Sequence, residues 1–218
     1  GGDYHTCGVT AAGEAYCWGE NSHGQIGDGT NTDRSVPVLV SGGHTWASVS
    51  SGYGHSCGVT TGDVAYCWGS NHEGQLGTGT GNTTVPVLVT GGHTWSSANS
   101  GRDHSCGVTT TGDAYCWGRN QYGELGDGTT TRRTEPTLVS GSHTWSSVDA
   151  DYFHSCGVKT AGAAYCWGRN DLGQLGDGTT TTRRTEPTLV SGGHSWNEVS
   201  AGALHTCGVT TEGVAYCW

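Results

Sequence analysis

The stretch HTCGVTAAGEAYCWG at residues 5–19 returns four more times along the 218 residues. It reads HSCGVTTGDVAYCWG from His55, HSCGVTTTGDAYCWG from His104, HSCGVKTAGAAYCWG from His154 and HTCGVTTEGVAYCW from His205. Each copy carries two cysteines ten positions apart, and the copies begin every 49 to 51 residues. A period of that length, punctuated throughout by turn residues, marks a stack of repeated units. The first unit has four short apolar segments, at 5–10, 14–19, 37–40 and 45–49. Their β-branched and aromatic content and short length favour strands. No window sustains a 3.6-residue period.

Four strands in about 50 residues is the make-up of a propeller blade. The expected fold is therefore all-β, a β-propeller of four-stranded blades formed by one array over residues 1–218. Five cysteine hairpins and four Pro/Trp strand pairs give 18 strands, an arc of four and a half blades. The sequence has no methionine, and the last motif stops at Trp218. The chain is thus expected to be part of a longer one, with further sequence or another chain completing the ring.

The motif itself reads as a hairpin. Thr10-Ala11-Ala12-Gly13 suits a type I turn closed by a left-handed glycine. Gly112, Gly162 and Gly213 repeat that glycine, and Asp63 stands there in the second copy. Such a turn pairs Val9 with Ala15, Cys7 with Cys17 and His5 with Gly19, leaving Gly8 opposite Tyr16. Directly opposed cysteines on antiparallel strands fall within disulfide reach. The favoured pairs are Cys7–Cys17, Cys57–Cys67, Cys106–Cys116, Cys156–Cys166 and Cys207–Cys217. Zinc is one alternative, since His5 shares a face with Cys7 and Cys17, although the cysteine spacing is unusual for it. Free thiols are the other. The redox spacing C-x-x-C does not occur.

Composition explains why staples would be useful. Hydrophobic residues make up 33%, with 40 glycines and one phenylalanine. Nine tryptophans and nine tyrosines must carry much of the burial. Ten paired cysteines suit an oxidising compartment, so a secreted or cell-surface setting is expected. The net charge of −10, with a single lysine at Lys159, offers no footprint for nucleic acid or an anionic membrane. No apolar run approaches the roughly 18 residues of a membrane helix.

The string CWG-x-N-x-x-G-Q-[LI]-G-D-G-T, followed by P-x-x-V and W-x-x-V, resembles the regulator-of-chromosome-condensation repeat. Trp18, Gly19, Asn21, Gly24, Gln25, Ile26, Gly27 and Pro37 carry it in the first copy, and Asn71, Asn120 and Asn170 mark the others. Thr78 departs from the aspartate of the other copies and Glu124 from the glutamine. The resemblance covers the whole chain. It implies a propeller, usually of seven blades, and is similar to a secreted bacterial branch with cysteines at these hairpin positions. The functions of that family run from nucleotide exchange to enzyme inhibition, so the resemblance implies a fold more than an activity.

Other polar motifs read as structural. The motif histidines (His5, His55, His104, His154, His205) and the second set (His44, His93, His143, His194) serve every unit alike, which suits buried hydrogen bonding. Asp28, Asp127 and Asp177 in the G-D-G-T loops suit loop capping, without the spaced carboxylates of a calcium site. Arg132-Arg133 and Arg183-Arg184 are expected to be solvated or paired with Glu135 or Glu186. Asn82-Thr83-Thr84 is one glycosylation-type sequon. No nucleophile, base and orienting group assemble from unrepeated residues. No enzyme activity, cofactor or metal is expected.

Partner recognition must then come from positions where the copies disagree. The two residues before each motif histidine vary: Asp3-Tyr4, Tyr53-Gly54, Arg102-Asp103, Tyr152-Phe153 and Ala203-Leu204. So do the two after each loop asparagine: Ser22-His23, His72-Glu73, Gln121-Tyr122 and Asp171-Leu172. The hairpin register places both sets at one end of each blade. Tyr4, Tyr53, Arg102, Tyr122, Tyr152, Phe153 and Leu204 are the expected protein-binding rim, being side chains of the kinds that anchor interfaces. The competing reading is that rim loops vary because nothing constrains them. A protein-binding scaffold is the leading expectation. The alternatives are a subunit of an extracellular filament or surface assembly, built by self-association, and a secreted enzyme inhibitor.

Overall fold

The computed structural model describes residues 1–180 and 183–218. Among the described residues there are eighteen strands in five antiparallel sheets and no helix. The first sheet holds β1 (His5–Val9), β2 (Ala15–Gly19) and β3 (Arg34–Leu39). The second holds β4 (Trp46–Ser51), β5 (His55–Thr60), β6 (Ala65–Gly69) and β7 (Thr83–Leu88). The third is β8 (Trp95–Ser100), β9 (His104–Thr109), β10 (Ala114–Gly118) and β11 (Arg133–Leu138). The fourth is β12 (Trp145–Ala150), β13 (His154–Lys159), β14 (Ala164–Gly168) and β15 (Arg184–Leu189). The fifth is β16 (Trp196–Ala201), β17 (Thr206–Thr210) and β18 (Ala215–Cys217).

The arc of four-stranded blades is as expected, but its phase is not that of the sequence repeat. The tryptophan strand pairs forward. Trp46 lies opposite Thr60 and Val49 opposite Gly58, so β4 opens the second sheet instead of closing the first. Gly58 explains the choice: a Cβ there would lie 2.8 Å from the Trp46 ring, which covers the glycine. The four tryptophan strands form the inner edges and line a central cavity of about 360 Å³.

Within each hairpin the register is as read from the motif, with Cys7 opposite Cys17 and His5 opposite Gly19. All ten cysteines are paired inside their own hairpins, with sulfurs 2.03–2.11 Å apart. No thiolate is left to ligate a metal. The turn glycine Gly13 has φ +82°, and Asp63 takes φ +61° in its place in the second copy.

Between blades the core is thin but closely fitted. Trp46, Trp68, Ile26, Val40, Ala15 and Cys17 form one cluster across the first seam, and matching clusters fill the next three. A polar relay runs beside each cluster. The Ser56 hydroxyl and the Trp68 indole both donate to the Gln25 carbonyl, at 2.9 Å each. The serine proton is thus spent, so Ser56 Oγ accepts from His5 Nε2 at 2.7 Å. That assigns the neutral tautomer with its proton on Nε2. His55–Ser105, His104–Ser155 and His154–Thr206 repeat the bond at 2.8 Å. Burial drives His55 and His104 down to about 3, and His5 and His154 down to about 4. His205, just before β17, is exposed.

Candidate functional site

At one end of the blades, backbone hydrogen bonds join the variable residues before each motif histidine to the residue before each loop asparagine. Glu20 N donates to Tyr4 O, Ser70 N to Gly54 O, Arg119 N to Asp103 O and Arg169 N to Phe153 O, all at 2.9 Å. The residues before the motif histidine and those before the loop asparagine therefore sit side by side on rigid strand ends.

On this rim the aromatics touch one another from blade to blade. Tyr4 meets Tyr53 edge-on at 5.1 Å, and Tyr53 meets Tyr152 at 6.4 Å. Phe153 contacts both Tyr152 and Tyr122 at 5.7 Å. Arg102 lies among three of these rings, 5.2 Å from Tyr53, 5.0 Å from Tyr152 and 5.4 Å from Phe153. Six of the seven expected rim residues thus form one connected patch. Leu204 is about half exposed at 49% and makes none of these ring contacts.

Two members of the patch escaped the sequence reading. Arg119 lies 5.1 Å from the Phe153 ring and Arg169 lies 5.3 Å from it. Both also face Tyr122. Their position, immediately before the loop asparagine, varies too (Glu20, Ser70, Arg119, Arg169), and that signal would have found them. Asp103 lies 3.4 Å from both Arg102 and Arg119, and Asp171 lies 2.6 Å from Arg169. Beneath them Glu124 is fully buried. Its Oε2 accepts from Tyr122 N at 2.6 Å and its Oε1 points to Arg119 at 3.8 Å. Burial raises the Glu124 carboxyl above its ordinary range.

The patch continues to the mouth of the central cavity. The Tyr152 hydroxyl donates to Asp3, a bond that pushes the phenol up to about 12. Asp149 accepts from Ser200 Oγ and Ala201 N, each at 3.0 Å. Asp151, desolvated and close to Asp149 and Asp3, is raised to about 7. Among the described residues no group of three or more His, Cys, Asp or Glu side chains is arranged to hold a metal ion.

The remaining candidates brace loops. Asp28 accepts from Thr30 N, Thr30 Oγ1 and Arg34 Nε at 2.9, 2.7 and 2.6 Å. Asp127 and Asp177 do the same with Arg133 and Arg184. Arg133 and Arg184 thus pair with the loop aspartates and not with Glu135 or Glu186, because each lies at the strand start beside its own loop. Arg132 reaches the preceding blade, donating to His72 O at 3.0 Å and lying 3.7 Å from Glu73. Arg183 donates to Gln121 O in the same way. In the second copy Thr78 and Thr83 stand where the others have the aspartate and arginine, so acid and base are missing together. His44 stacks on Tyr66 at 4.2 Å and meets Trp46 edge-on at 5.3 Å; His93, His143 and His194 repeat this. Among the described residues no helix is long and apolar enough to cross a membrane.

The arc is shared with known structures. It superposes on human WBSCR16 with a TM-score of 0.88 at 22% identity, covering 97% of this chain and 56% of that one. Yeast RCC1 (Prp20), solved bound to Kap60, gives 0.85 at 22% identity, over 99% of this chain and 54% of that one. The ectodomain of the Arabidopsis thaliana receptor kinase ACR4 gives 0.61 at 21% identity, over the whole of this chain and 61% of that one. In sequence, the human E3 ubiquitin-protein ligase HERC2 is 49% identical over 41 residues, 19% of this chain and 1% of that protein. The chain thus spans little more than half of the first two structures and a small part of HERC2. The model of the Regulator of chromosome condensation (RCC1) repeat matches four times, at residues 12–59, 63–108, 111–158 and 161–209. These matches span most of the sequence, and the chain belongs to the RCC1 repeat family.

Proposed function

We propose that this chain is a non-catalytic, protein-binding propeller of an oxidising, extracellular or cell-surface setting. The connected Tyr/Phe/Arg rim carries the reading. Rigid strand ends hold aromatic and arginine side chains together, so little order is lost when a partner docks. The five disulfides support the setting, because such bonds persist where thiols are not kept reduced. Prp20, of similar fold, is a protein with protein partners: it was solved with Kap60 and characterised for binding Gsp1p and histones. We read residues 1–218 as one array, whose ring other sequence or another chain completes.

The test is affinity capture with wild-type protein and a Tyr152→Ala/Phe153→Ala variant of matched thermal stability. A rim partner should lose more than about 2 kcal/mol, roughly a thirtyfold weakening, in the variant. Unchanged binding would remove the rim from the function.

A further inference from the structure

Arginine distribution narrows the kind of partner, given a protein-binding rim. The chain has nine cations against nineteen carboxylates. Arg34, Arg133 and Arg184 brace loop aspartates, and Lys159, at the end of β13, lies over Tyr165 of β14. The other five, Arg102, Arg119, Arg132, Arg169 and Arg183, all reach the rim of the second to fourth blades. Three of them surround one ring, each guanidinium carbon within 5.1–5.4 Å of the Phe153 centroid. The hairpin-turn end, by contrast, carries Glu14, Asp63, Asp113 and Glu212.

Guanidinium faces stacked on aromatic rings leave their N–H edges for planar acceptors, the geometry that suits a carboxylate fork. The three arginines are mostly covered but each keeps part of its side chain at the surface, 33%, 22% and 26%, with Arg119 also donating to Gln121 and Arg169 to Asp171. Glu124, buried beneath and without a hydrogen bond to Oε1, holds Arg119 from below without occupying the outer surface. Asp103 is shared between two arginines, so around Phe153 itself three cations face two exposed acids, Asp103 and Asp171, while Asp3, Asp149 and Asp151 lie toward the cavity mouth.

We infer that the patch around Phe153 docks an acidic polypeptide segment, whose carboxylates engage Arg102, Arg119 and Arg169 while an apolar or aromatic side chain covers Phe153 and Tyr122. Against a chain of net charge −10, such a patch is the place where an acidic partner meets attraction at short range.

The experiment observes arginine Nε–Hε resonances in the disulfide-intact protein. The probes are a blocked peptide with four glutamates around one tyrosine, the matching peptide with four lysines, and oligodeoxythymidylate. The glutamate peptide should shift Arg102, Arg119 and Arg169 saturably, at least tenfold more tightly than the other two probes. Arg102→Gln/Arg169→Gln, which keeps the Arg119–Glu124 pair, should weaken it at least tenfold. Stronger binding of the lysine peptide or the oligonucleotide at these resonances overturns the acidic preference while leaving a binding rim in place. Shifts confined to other arginines, together with a captured partner indifferent to Tyr152 and Phe153, overturn both.

Discussion

Lowering the pH from 7 to 5 should destabilise the protein through the inter-blade histidines. In the folded chain His55 and His104 titrate near 3, and His5 and His154 near 4, chiefly because burial disfavours the charged ring. In the unfolded chain each returns to about 6.5. The unfolded state therefore takes up protons first as the pH falls. Stability is complete above about 6.5 and is lost progressively down to the folded values. At pH 5 each histidine costs about 2 kcal/mol by this linkage, and the four together cost about 8 kcal/mol. Asp151 opposes them. Its folded value near 7 means that the folded state binds the proton first, returning about 2 kcal/mol at pH 5. Burial raises Asp149 and Glu124 in the same sense, so about 6 kcal/mol is an upper bound on the net loss. Asp28, Asp127 and Asp177 are lowered, so their contribution fades only in more acid solution, below this window.

A single substitution isolates the cause. His104→Gln can still donate to Ser155, yet it removes one titrating ring. Guanidinium unfolding at pH 7 and pH 5, disulfides intact, should show the difference between the two pH values shrink by about 2 kcal/mol in the variant. An identical pH dependence in wild type and His104→Gln would refute the assignment of proton uptake to the seam.

Three other outcomes follow from the geometry. Gly126→Ala places a Cβ 2.8 Å from the Trp167 indole nitrogen at φ +65°, and thermal unfolding should show a loss of about 2–3 kcal/mol. Thr78→Asp/Thr83→Arg rebuilds in the second blade the brace seen as Asp127–Arg133, and chemical denaturation should show a gain of up to about 1 kcal/mol, with neither single variant reaching it. Replacing Cys106 and Cys116 together by alanine opens a loop with sequence separation 10 and should cost about 2–3 kcal/mol by the loop-entropy estimate, read as a lower denaturant midpoint.

The hairpins were legible because their determinants are local. Turn glycine and opposed cysteines lie within fifteen residues, and they fix the register on their own. The phase of the blades was not. A repeat shows its period but not where a sheet begins, and Trp46 joins Gly58 by filling the space over a missing side chain, a packing event that spacing does not encode. The histidine seam was half legible. Recurrence marked His5 and its counterparts as structural, but the partners Ser56 and the Gln25 carbonyl lie 51 and 20 residues away from it in the chain. On the rim, comparing copies with one another located Tyr53, Arg102, Tyr152 and Phe153. Arg119 and Arg169 were passed over because the position before the loop asparagine was not compared, and their contacts to Phe153 and Tyr122 of the adjoining blade are not written in the spacing.

The disulfides join neighbouring strands of one hairpin and never one blade to the next. Five nearly identical hairpins invite strand exchange during folding, since any β5-like strand could pair with any β6-like one. A bridge that forms within each hairpin shortens the search to contacts a few residues apart. It also makes exchange between blades require bond breakage as well as unpairing. Oxidation order then carries no penalty, because each pair closes independently of the others. In a reducing buffer the same chain should show its repeats swapping within and between molecules, and concentration-dependent aggregation would be the visible sign.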